Sequence, residues 1–493
     1  MAPLASRKFK PLEFYSSPSI AYYLLPFRFH RLNDSREILV NEVGDYIVAP
    51  IDTARRIAAH DISPSESIYA DLVANFFISE KPIPDLIDIL ATRYRTKKSF
   101  LDDFTSLHIF VITLRCDHTC HYCQVSRQSE DKHQYDMSRT DIDGFIDLMF
   151  KSPSRDVTVE FQGGEPLLVF DNIVYAVKRI EELNRADKRR VRFVVCTNLS
   201  NINLDILTFL KEHGILISTS YDGPEFIHNS NRTFSRGNSH ATVLEKIGLC
   251  REILGNDMVS ALMTASSLTL NYPVEIVDDY VAQGLPSIFL RQINPYGFAK
   301  KNRMKNAYTA EQFLEFYKTA LQHIINLNLR GLFFLEEFAT IILSKILTPF
   351  PIGFTDLQSP NGMINGAIVY NYDGFVYASD ESRMLAEERD FTFQLGHVKS
   401  DSYQKIFYGA KAQHIAKYWA NESLAGCSEC GFQSYCGADP VRHYATQGDL
   451  AGYRPTSSFC ITNMEIIRFL IELLTENRSI ERVFRSWVNK TPL

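Results

Sequence analysis

The sequence predicts an α/β fold built around a parallel sheet or barrel. After about residue 105, short apolar runs typical of strands alternate with helical segments. The glycines, cysteines and polar residues that stand out chemically come directly after those apolar runs. In parallel α/β sheets and barrels the active site lies at the carboxyl ends of the strands, so the two observations agree.

Six strands are predicted from the apolar runs. The first, Leu107–Leu114, is continuous and apolar, and it leads directly into a group of cysteines. The other strands are predicted at 156–161, 191–197, 215–220, 258–264 and 287–291. Helices between them are predicted at 142–150, 172–183 and 204–212.

The first hundred residues are predicted to form a separate unit. Strands at 21–29 and 38–48 are joined by a turn at 33–35. Helices are predicted at 53–59, 66–77 and 83–94. The domain boundaries expected from the sequence are therefore 1–100, 101–330 and 331–493.

Length and charge limit the classes of function. At 493 residues, with 45% hydrophobic and 22% charged residues, the chain has a globular composition and is too long for one core. Its net charge of −6 argues against general nucleic-acid binding. No apolar run approaches the ~20 residues of a membrane span. Residues 1–14 lack the apolar core of a signal peptide, so a cytoplasmic protein is expected.

Three closely spaced cysteines, here called the loop cysteines, are the most specific signal in the chain. Cys116, Cys120 and Cys123 have the spacing C-x3-C-x2-C. A [4Fe–4S] cluster normally takes four thiolates, so three local ligands leave one iron open to a small molecule. Zinc is the alternative, although zinc prefers four protein ligands in paired C-x2-C knuckles.

The loop, with Tyr122 before its last cysteine, resembles the cluster loop of the radical S-adenosylmethionine (radical SAM) enzymes. This resemblance implies a partial (β/α)6 barrel and a [4Fe–4S] cluster whose open iron chelates the amino and carboxylate groups of SAM. It further implies reductive cleavage of SAM to a 5′-deoxyadenosyl radical, with Tyr122 in the SAM site.

The resemblance also assigns roles to residues that follow the second strand. Gly163 and Gly164, with Gln162 before them, would let the backbone approach SAM and accept hydrogen bonds from its amino group. Glu165 would complement the same amine. A tight strand-to-helix turn, with Pro166 at the helix start, is the alternative.

Four residues after later strands complete the predicted SAM and substrate site. Asn198 and Ser220 are candidates for binding the ribose or the carboxylate of SAM, or else helix N-caps. Arg232 is a candidate for binding the carboxylate of SAM, or else a member of a surface ion pair. Arg291 would line the cavity mouth near the substrate or the adenine.

A second cysteine group, here called the C-terminal cysteines, consists of Cys427, Cys430, Cys436 and Cys460. Their spacing resembles the SPASM extension of radical SAM enzymes that modify peptides and proteins. The family pattern has further cysteines at the places of Ser379 and Pro440 and one upstream. The resemblance therefore implies one auxiliary [4Fe–4S] cluster with four protein ligands, and none at the second site. A structural zinc is the alternative.

Asp380, next to Ser379, occupies a place where some family members carry an acidic residue thought to accept a substrate proton. A solvated turn carboxylate is the alternative. The two remaining cysteines, Cys196 and Cys250, lie in apolar runs and are predicted to be small buried side chains.

Over nearly its whole length the chain resembles the maturases of the His-Xaa-Ser peptide system, which act on ribosomally made peptides. The matching segments are 24–32, 94–98, 120–130, 161–166, 436–448 and 454–457. The resemblance implies a precursor peptide, a companion radical SAM maturase and a flavodoxin- or ferredoxin-type electron donor. It also implies a winged-helix-like domain at 1–100 that binds the leader of the peptide, for which a packing cap is the alternative.

The predicted function is radical-mediated crosslinking of side chains in the core of a precursor peptide, with loss of two hydrogens. Formylglycine-type oxidation of a protein cysteine or serine is one rival. Peptide epimerisation is another, with Cys196 or Cys250 as the hydrogen donor. A zinc-stabilised, peptide-binding scaffold without redox chemistry is the non-enzymatic rival. The sequence does not name the residues joined or the bond made.

Overall fold

The computed structural model describes residues 22–128 and 131–493, which divide into two units. The first unit contains the described residues up to Lys97 together with Glu429–Ser434. The second unit contains Lys98–Ser428 and Tyr435–Leu493. The start of the first predicted strand, and the segment for which the sequence predicts no signal peptide, lie outside the described residues.

The described part of the first unit combines short strands with three helices. Its strands are β1 (Tyr23–Leu24), β2 (Phe27–Arg31), β3 (Arg36–Asn41), β4 (Tyr46–Pro50) and β5 (Ile78–Ser79). Its helices are α1 (Thr53–Ala58), α2 (Ser67–Ala74) and α3 (Pro84–Lys97). β2, β3 and β4 form an antiparallel sheet in that order, and β1 pairs with β5. Leu39, Ile57, Leu72 and Phe77 are fully buried in the core between them.

Two strand predictions in this unit are wrong in detail. The predicted strand 38–48 is two strands, because the chain turns at Gly44, whose φ of 80° suits glycine. The predicted strand 21–29 is divided between β1 and β2, with Pro26 between them, which has no N–H for a sheet. The predicted turn at 33–35 is confirmed, since the Asn33 side chain accepts a hydrogen bond from the main-chain N–H of Ser35 at 3.1 Å.

Asn41 holds the turn between β3 and β4 together. Its side chain is fully buried. Its Oδ1 accepts hydrogen bonds from the main-chain N–H groups of Val43 at 3.0 Å and Asp45 at 2.9 Å. Its Nδ2 donates to the carbonyl oxygen of Asn75 at 2.9 Å. The Asp45 carboxylate in turn accepts two hydrogen bonds from the Arg93 guanidinium, at 2.5 and 2.6 Å, which joins α3 to this turn.

The second unit contains a nine-stranded sheet. Its strands, in chain order and with two short strands outside that sheet, are β6 (Leu107–Thr113), β7 (Asp156–Gly163), β8 (Arg190–Thr197), β9 (Leu216–Ser220), β10 (Val259–Ala265), β11 (Ser287–Ile288), β12 (Leu290–Gln292), β13 (Leu335–Glu336), β14 (Ala367–Tyr370), β15 (Phe375–Tyr377) and β16 (Gln394–His397). The spatial order of the sheet is β12-β10-β9-β8-β7-β6-β14-β15-β16, and β11 pairs with β13.

Helices connect and follow these strands. In chain order they are α4 (Lys132–Tyr135), α5 (Arg139–Phe150), α6 (Phe170–Asp187), α7 (Leu204–Glu212), α8 (Glu225–Asn231), α9 (Ser239–Leu254), α10 (Pro273–Ala282), α11 (Gly297–Lys301), α12 (Arg303–Asn306), α13 (Ala310–Leu329), α14 (Glu337–Leu347), α15 (Asp380–Ala386), α16 (Tyr403–Tyr408), α17 (Ala410–Ala416), α18 (Pro440–Gln447), α19 (Ser458–Glu476) and α20 (Arg478–Asn489).

The pairing of the strands confirms the α/β prediction. Every neighbouring pair from β12 to β14 across the sheet is parallel. Parallel strands need crossover connections, and the helices between β6 and β12 supply them. The sixth predicted strand is divided at Phe289 into β11 and β12, which belong to different sheets.

The segment after residue 330 adds strands to the same sheet. Ala367 of β14 pairs with Leu107 of β6 in parallel, and β15 and β16 continue the sheet in antiparallel fashion. Strands from both sides of the expected domain boundary at 330 therefore belong to one continuous sheet. Among the described helices, none has the length and apolar character needed to cross a membrane.

Replacing Asn41 by alanine is expected to loosen the β3–β4 turn. The change leaves buried main-chain groups of Val43, Asp45 and Asn75 without their partner, at a cost of about 2–4 kcal/mol. Hydrogen–deuterium exchange over residues 36–50 should become faster. The exposed change Asp71→Asn serves as the control and should leave exchange unaltered. Unchanged protection in Asn41→Ala would show that the amide is dispensable.

Candidate active site

A cavity of about 620 Å³ lies in the second unit at the carboxyl ends of the parallel strands. Nearly all the residues predicted for the SAM and substrate site line it. These are Cys116, Cys120, Tyr122, Cys123, Gln162, Gly163, Gly164, Asn198, Ser220, Arg232, Arg291 and Asp380. The topology of the sheet therefore brings together residues as far apart in the chain as Cys116 and Asp380.

The loop cysteines follow β6 and are held by main-chain hydrogen bonds. The N–H of Thr119 donates to the carbonyl oxygen of Thr233 at 2.8 Å, and the N–H of Cys123 donates to that of Cys120 at 3.2 Å. Burial raises the pKa of the Cys120 thiol to about 12 and that of Cys116 well above its usual value. The thiolate form needed for metal ligation would therefore depend on the positive charge of bound iron.

Asp117, inside the loop, is a structural residue that the sequence analysis missed. Although burial opposes ionisation, hydrogen bonds from His118, Ser200 and Asn198 hold the pKa of Asp117 well below its usual range. The Ser200 hydroxyl donates at 2.6 Å and the Asn198 Nδ2 at 2.9 Å, and Arg236 is 3.3 Å away. The carboxylate thus ties the cysteine loop to the chain after β8.

Both the oxygen and the nitrogen of the Asn198 side-chain amide therefore form hydrogen bonds. Its Oδ1 accepts a hydrogen bond from the main-chain N–H of Ser200 at 2.9 Å, which closes a turn, whereas the N-cap of the following helix is Asn203. Its Nδ2 is directed to Asp117. Asn198 lines the cavity, but its side chain is already used to shape the turn after β8.

The glycine pair is required by the chain's own backbone. A Cβ on Gly163 would lie closer than 3.0 Å to the carbonyl oxygen of Thr113, and one on Gly164 equally close to that of Arg115. Gly163 also has a φ of 147°, which other residues rarely adopt. The N–H of Gly164 donates to the carbonyl oxygen of Thr113 at 2.8 Å. These close contacts fix the turn after β7 against the start of the cysteine loop.

Glu165 does not occupy the predicted place. Its side chain is fully buried and is absent from the cavity lining. Its carboxylate accepts hydrogen bonds from the Thr197 hydroxyl at 2.6 Å and from the main-chain N–H groups of Leu167 and Asn198 at 3.0 and 2.8 Å. Burial raises the pKa of Glu165 to about 7 despite these bonds. The prediction that it meets the SAM amine therefore does not fit this geometry; Glu165 joins the end of β7 to the end of β8.

Arg232 lies in a buried ion pair, so the surface alternative is wrong. Its side chain is only 12% exposed, and its Nε lies 3.3 Å from Asp222 Oδ2. Its guanidinium carbon sits 5.3 Å from the centre of the Tyr122 ring. The Tyr122 hydroxyl donates to Asp222 Oδ2 at 2.5 Å. Asp222, which follows β9 and was not predicted, thus holds both residues at the cavity wall.

The residues present fit SAM and a cluster. Three thiols, a glycine backbone and a buried arginine meet at one end of the cavity, and a zwitterionic ligand needs such partners. Among the described residues, the buried Gln162 Nε2 and Thr219 Oγ1 line this cavity without a hydrogen-bond partner. Buried polar atoms without partners are costly, which is consistent with a ligand that supplies them.

Asp380 is not the solvated carboxylate of the alternative interpretation. It opens α15 after Ser379, whose hydroxyl accepts a hydrogen bond from the main-chain N–H of Ser382 at 3.2 Å. Its side chain is 21% exposed and lies 3.5 Å from the buried Arg383. Arg291 lines the same cavity.

The C-terminal cysteines are divided between the two units. Cys430 belongs to the segment Glu429–Ser434 of the first unit, and the other three belong to the second. In the second unit, Arg454 Nε donates to Cys427 Sγ at 3.0 Å. Within residues 22–128 and 131–493, no three His, Cys, Asp or Glu side chains are close enough to hold one metal ion.

Replacing Gly164 by alanine is expected to push the β7 turn away from Arg115. Such overpacking costs about 1–3 kcal/mol and should lower both the melting temperature and the iron retained per chain. Gly248→Ala is the matched control, because a Cβ there meets nothing within 4 Å in the middle of α9. The control should be neutral or slightly stabilising. Equal iron and stability in the two variants would contradict the close-contact argument.

Comparisons with known proteins agree with this site. Residues 110–280 match the model of the Radical SAM superfamily. A cysteine-type anaerobic sulfatase-maturating enzyme of Clostridium novyi (strain NT) is 23% identical over 344 residues, which cover 66% of this chain and 83% of the relative.

Two solved structures share the fold. Native anSMEcpe with bound AdoMet has a TM-score of 0.63 at 17% identity, covering 78% of this chain and 100% of that one. Streptococcus suis SuiB bound to precursor peptide SuiA has a TM-score of 0.51 at 11% identity, covering 89% and 99%. Identities this low establish the fold alone.

The superfamily match confirms the cofactors expected at the loop cysteines, which are SAM and a [4Fe–4S] cluster. The cysteine-rich C-terminal region is consistent with an auxiliary cluster. The sequence match, the parallel sheet and the cavity residues agree with one another. Residues 110–280 therefore resemble the radical SAM superfamily.

Proposed function

We propose that this protein is a maturase that binds a ribosomally synthesised precursor peptide and oxidatively crosslinks side chains of its core. The observation that carries the proposal is the cavity itself. One end holds the loop cysteines and the glycine pair, and the same cavity is also lined by residues of the C-terminal segment, among them Asp356, Asp380 and Asp439. The cavity thus offers room for a substrate beyond the SAM site.

Two lines of comparison support a peptide substrate. SuiB, which shares the fold, is seen bound to its precursor peptide SuiA, and a sulfatase-maturating enzyme is a sequence relative. The resemblance to the maturases of the His-Xaa-Ser system extends over nearly the whole chain and supports crosslinking in particular.

The reaction removes two hydrogens from the peptide. When bound, SAM and the cluster reduced by a flavodoxin- or ferredoxin-type donor supply a 5′-deoxyadenosyl radical. The peptide gives one hydrogen atom to that radical and forms a bond between two side chains. It then gives one proton to a base and one electron to the auxiliary cluster or to an outside acceptor. SAM leaves as methionine and 5′-deoxyadenosine, so atoms and electrons balance.

The residues of the cavity bind and orient the reactants. The loop cysteines ligate the cluster, and the backbone at Gly163 and Gly164 accepts hydrogen bonds from the SAM amine. Arg232, held by Asp222, faces the carboxylate of SAM. Ser220 and Gln162 line the same end. Asp380 would accept the substrate proton, a role supported by its place in the lining of the cavity.

The C-terminal cysteines ligate the auxiliary cluster in this proposal. A cluster with four protein ligands has no open iron, so its role is to take an electron or to support the cavity. The hydrogen bond from Arg454 to Cys427 would stabilise a thiolate ligand.

The first unit is proposed to recognise the leader of the precursor peptide. Its antiparallel sheet has β2 and β4 at its edges. An extended peptide can add a strand to such an edge through main-chain hydrogen bonds. A companion radical SAM maturase acting on the same peptide is a further part of the proposal.

Two rival activities have specific support. Oxidation of a protein cysteine or serine to formylglycine is favoured by the similarity to the sulfatase-maturating enzyme. Epimerisation requires a hydrogen donor, and Cys196 lines the cavity next to Glu160, whereas Cys250 is buried elsewhere in α9. The mass of the modified product, together with its fragmentation pattern, distinguishes the three activities.

Iron content tests the cluster assignments. Protein prepared without oxygen should contain about eight irons per chain, from two clusters of four. Replacing all three loop cysteines by alanine, or all four C-terminal cysteines, should in each case leave about four. Cys250→Ala is the control and should keep the full content. One zinc in place of the second cluster would remove the electron-accepting role of the C-terminal cysteines.

Co-expression with a candidate precursor peptide encoded beside the protein tests the reaction. Mass spectrometry should show loss of two hydrogens from the peptide, and fragmentation should stop between the joined residues. The loss should disappear in the loop-cysteine variant and persist in Cys250→Ala. Loss of sulfur, or loss of two hydrogens with uninterrupted fragmentation, would indicate the formylglycine rival. An unchanged mass with inverted stereochemistry would indicate epimerisation.

A further inference from the structure

We propose that the cavity binds a positively charged side chain of the substrate, a long aliphatic stem ending in an ammonium or guanidinium group. This inference rests on the proposed function, because it names the class of side chain that the peptide presents. Two groups of residues carry it. The acidic pocket consists of Asp356, Asp380, Glu381 and Asp439, and the phenylalanine wall consists of Phe289, Phe338 and Phe354.

The acidic pocket is drawn from three separate segments that meet at the cavity. Asp356 lies in the connection between α14 and β14. Asp380 and Glu381 are the first residues of α15, and Asp439 is the N-cap of α18. All four carboxyl groups line the cavity. More than a third of the surface of Asp356 is exposed. The pocket is thus open to a ligand.

The protein neutralises this pocket only in part. In the described residues, Asp380 alone among the four forms a salt bridge, at 3.5 Å from Arg383. The Asp439 side chain accepts a hydrogen bond from the main-chain N–H of Arg442 at 2.8 Å. The Asp356 side chain accepts one from the hydroxyl of the residue before it, at 3.3 Å.

The charge count in this part of the cavity favours a cation. Arg291 and Arg442 also line it and Arg383 pairs with Asp380, so four carboxyl groups stand against three guanidinium groups. Burial, followed by repulsion from Asp356 and Asp380, raises the pKa of Glu381 to about 8. Burial likewise raises the pKa of Asp439 to about 6. An opposite charge placed among such groups would favour their ionised form.

The phenylalanine wall is a second, independent feature that suits such a ligand. Its three ring centres lie 5.8, 6.2 and 6.4 Å apart, and all three side chains line the cavity. Phe354 is two residues before Asp356 in the chain. Ring faces attract cations, and rings also cover an aliphatic stem. A carboxyl group beside clustered rings is therefore suited to an amphipathic cation.

Buried polar atoms without partners also line this part of the cavity. Thr462 is 5% exposed and Arg442 is 9% exposed. In the described structure, Thr462 Oγ1 and Arg442 Nε have no hydrogen-bond partner. A peptide backbone carbonyl next to the basic side chain could satisfy either atom. These atoms indicate a ligand that brings hydrogen-bonding groups as well as charge.

The test compares two capped pentapeptides, acetyl-Gly-Gly-X-Gly-Gly-amide, with X either lysine or norleucine. Binding to the iron-loaded full chain is measured by calorimetry without oxygen and with saturating SAM, so that the SAM amine cannot account for the effect. The lysine peptide should bind about tenfold more tightly, which corresponds to about 1.4 kcal/mol. Equal affinities, or tighter binding of norleucine, would overturn the inference.

Variants of the acidic pocket provide a second test of the inference. Asp356→Asn combined with Glu381→Gln should reduce the preference for lysine to less than about threefold, because two of the four carboxyl groups that could pair with the cation are gone. Glu311→Gln makes the same kind of change on the exposed side of α13 and should keep the preference. A pocket variant that retains iron and the full preference would contradict the inference.

A further measurement distinguishes failure of this inference from failure of the proposed function. Formation of 5′-deoxyadenosine from SAM and a reductant is measured on the same samples without peptide. SAM cleavage with equal affinities for the two peptides would overturn the cation site alone. Absence of SAM cleavage in iron-loaded protein would overturn the proposed function, whatever the peptides do.

Discussion

The close approach of the ends of β6 and β7 is the constraint on which the rest of the site depends. Parallel pairing continues past the last strand residues, with the N–H of Glu165 donating to the carbonyl oxygen of Arg115 at 2.7 Å. Only residues without a Cβ fit at Gly163 and Gly164. Because Arg115 directly precedes the loop cysteines, the glycine pair fixes where that loop begins. Glu165 then extends the same constraint to β8 through the Thr197 hydroxyl.

The two ends of the cavity differ in how their charged side chains are paired. At the end that holds the loop cysteines, Arg232 is matched by Asp222, so the buried charge is compensated before any ligand arrives. In the acidic pocket, the carboxyl groups outnumber their cationic neighbours, and burial with mutual repulsion disfavours their ionisation. The first arrangement holds Arg232 in place at the cavity wall, whereas a ligand of opposite charge would favour the ionised form of the second.

Some site residues could be predicted from the sequence because their chemistry is local. The loop cysteines and the glycine pair stand in short motifs, and most predicted strands occur close to their expected positions. Asp117 and Asp222 were missed because a single aspartate after a strand gives no signal by itself. Both act by accepting hydrogen bonds from residues about 80 to 100 positions away. Glu165 was misplaced for the same reason, since its partners after β8 lie beyond any local pattern.

The sequence by itself determined the order of strands and helices, the three thiols in one loop and the glycines at the end of β7. These features depend on periodicity, spacing and the absence of a Cβ, which are properties of neighbouring residues. The tertiary structure alone decided that β14–β16 extend the same sheet and that Arg232 is buried against Tyr122. It alone gathered Asp356, Glu381 and Asp439 at one cavity. Burial and charge interact through space, so their effects appear only when distant segments are packed together.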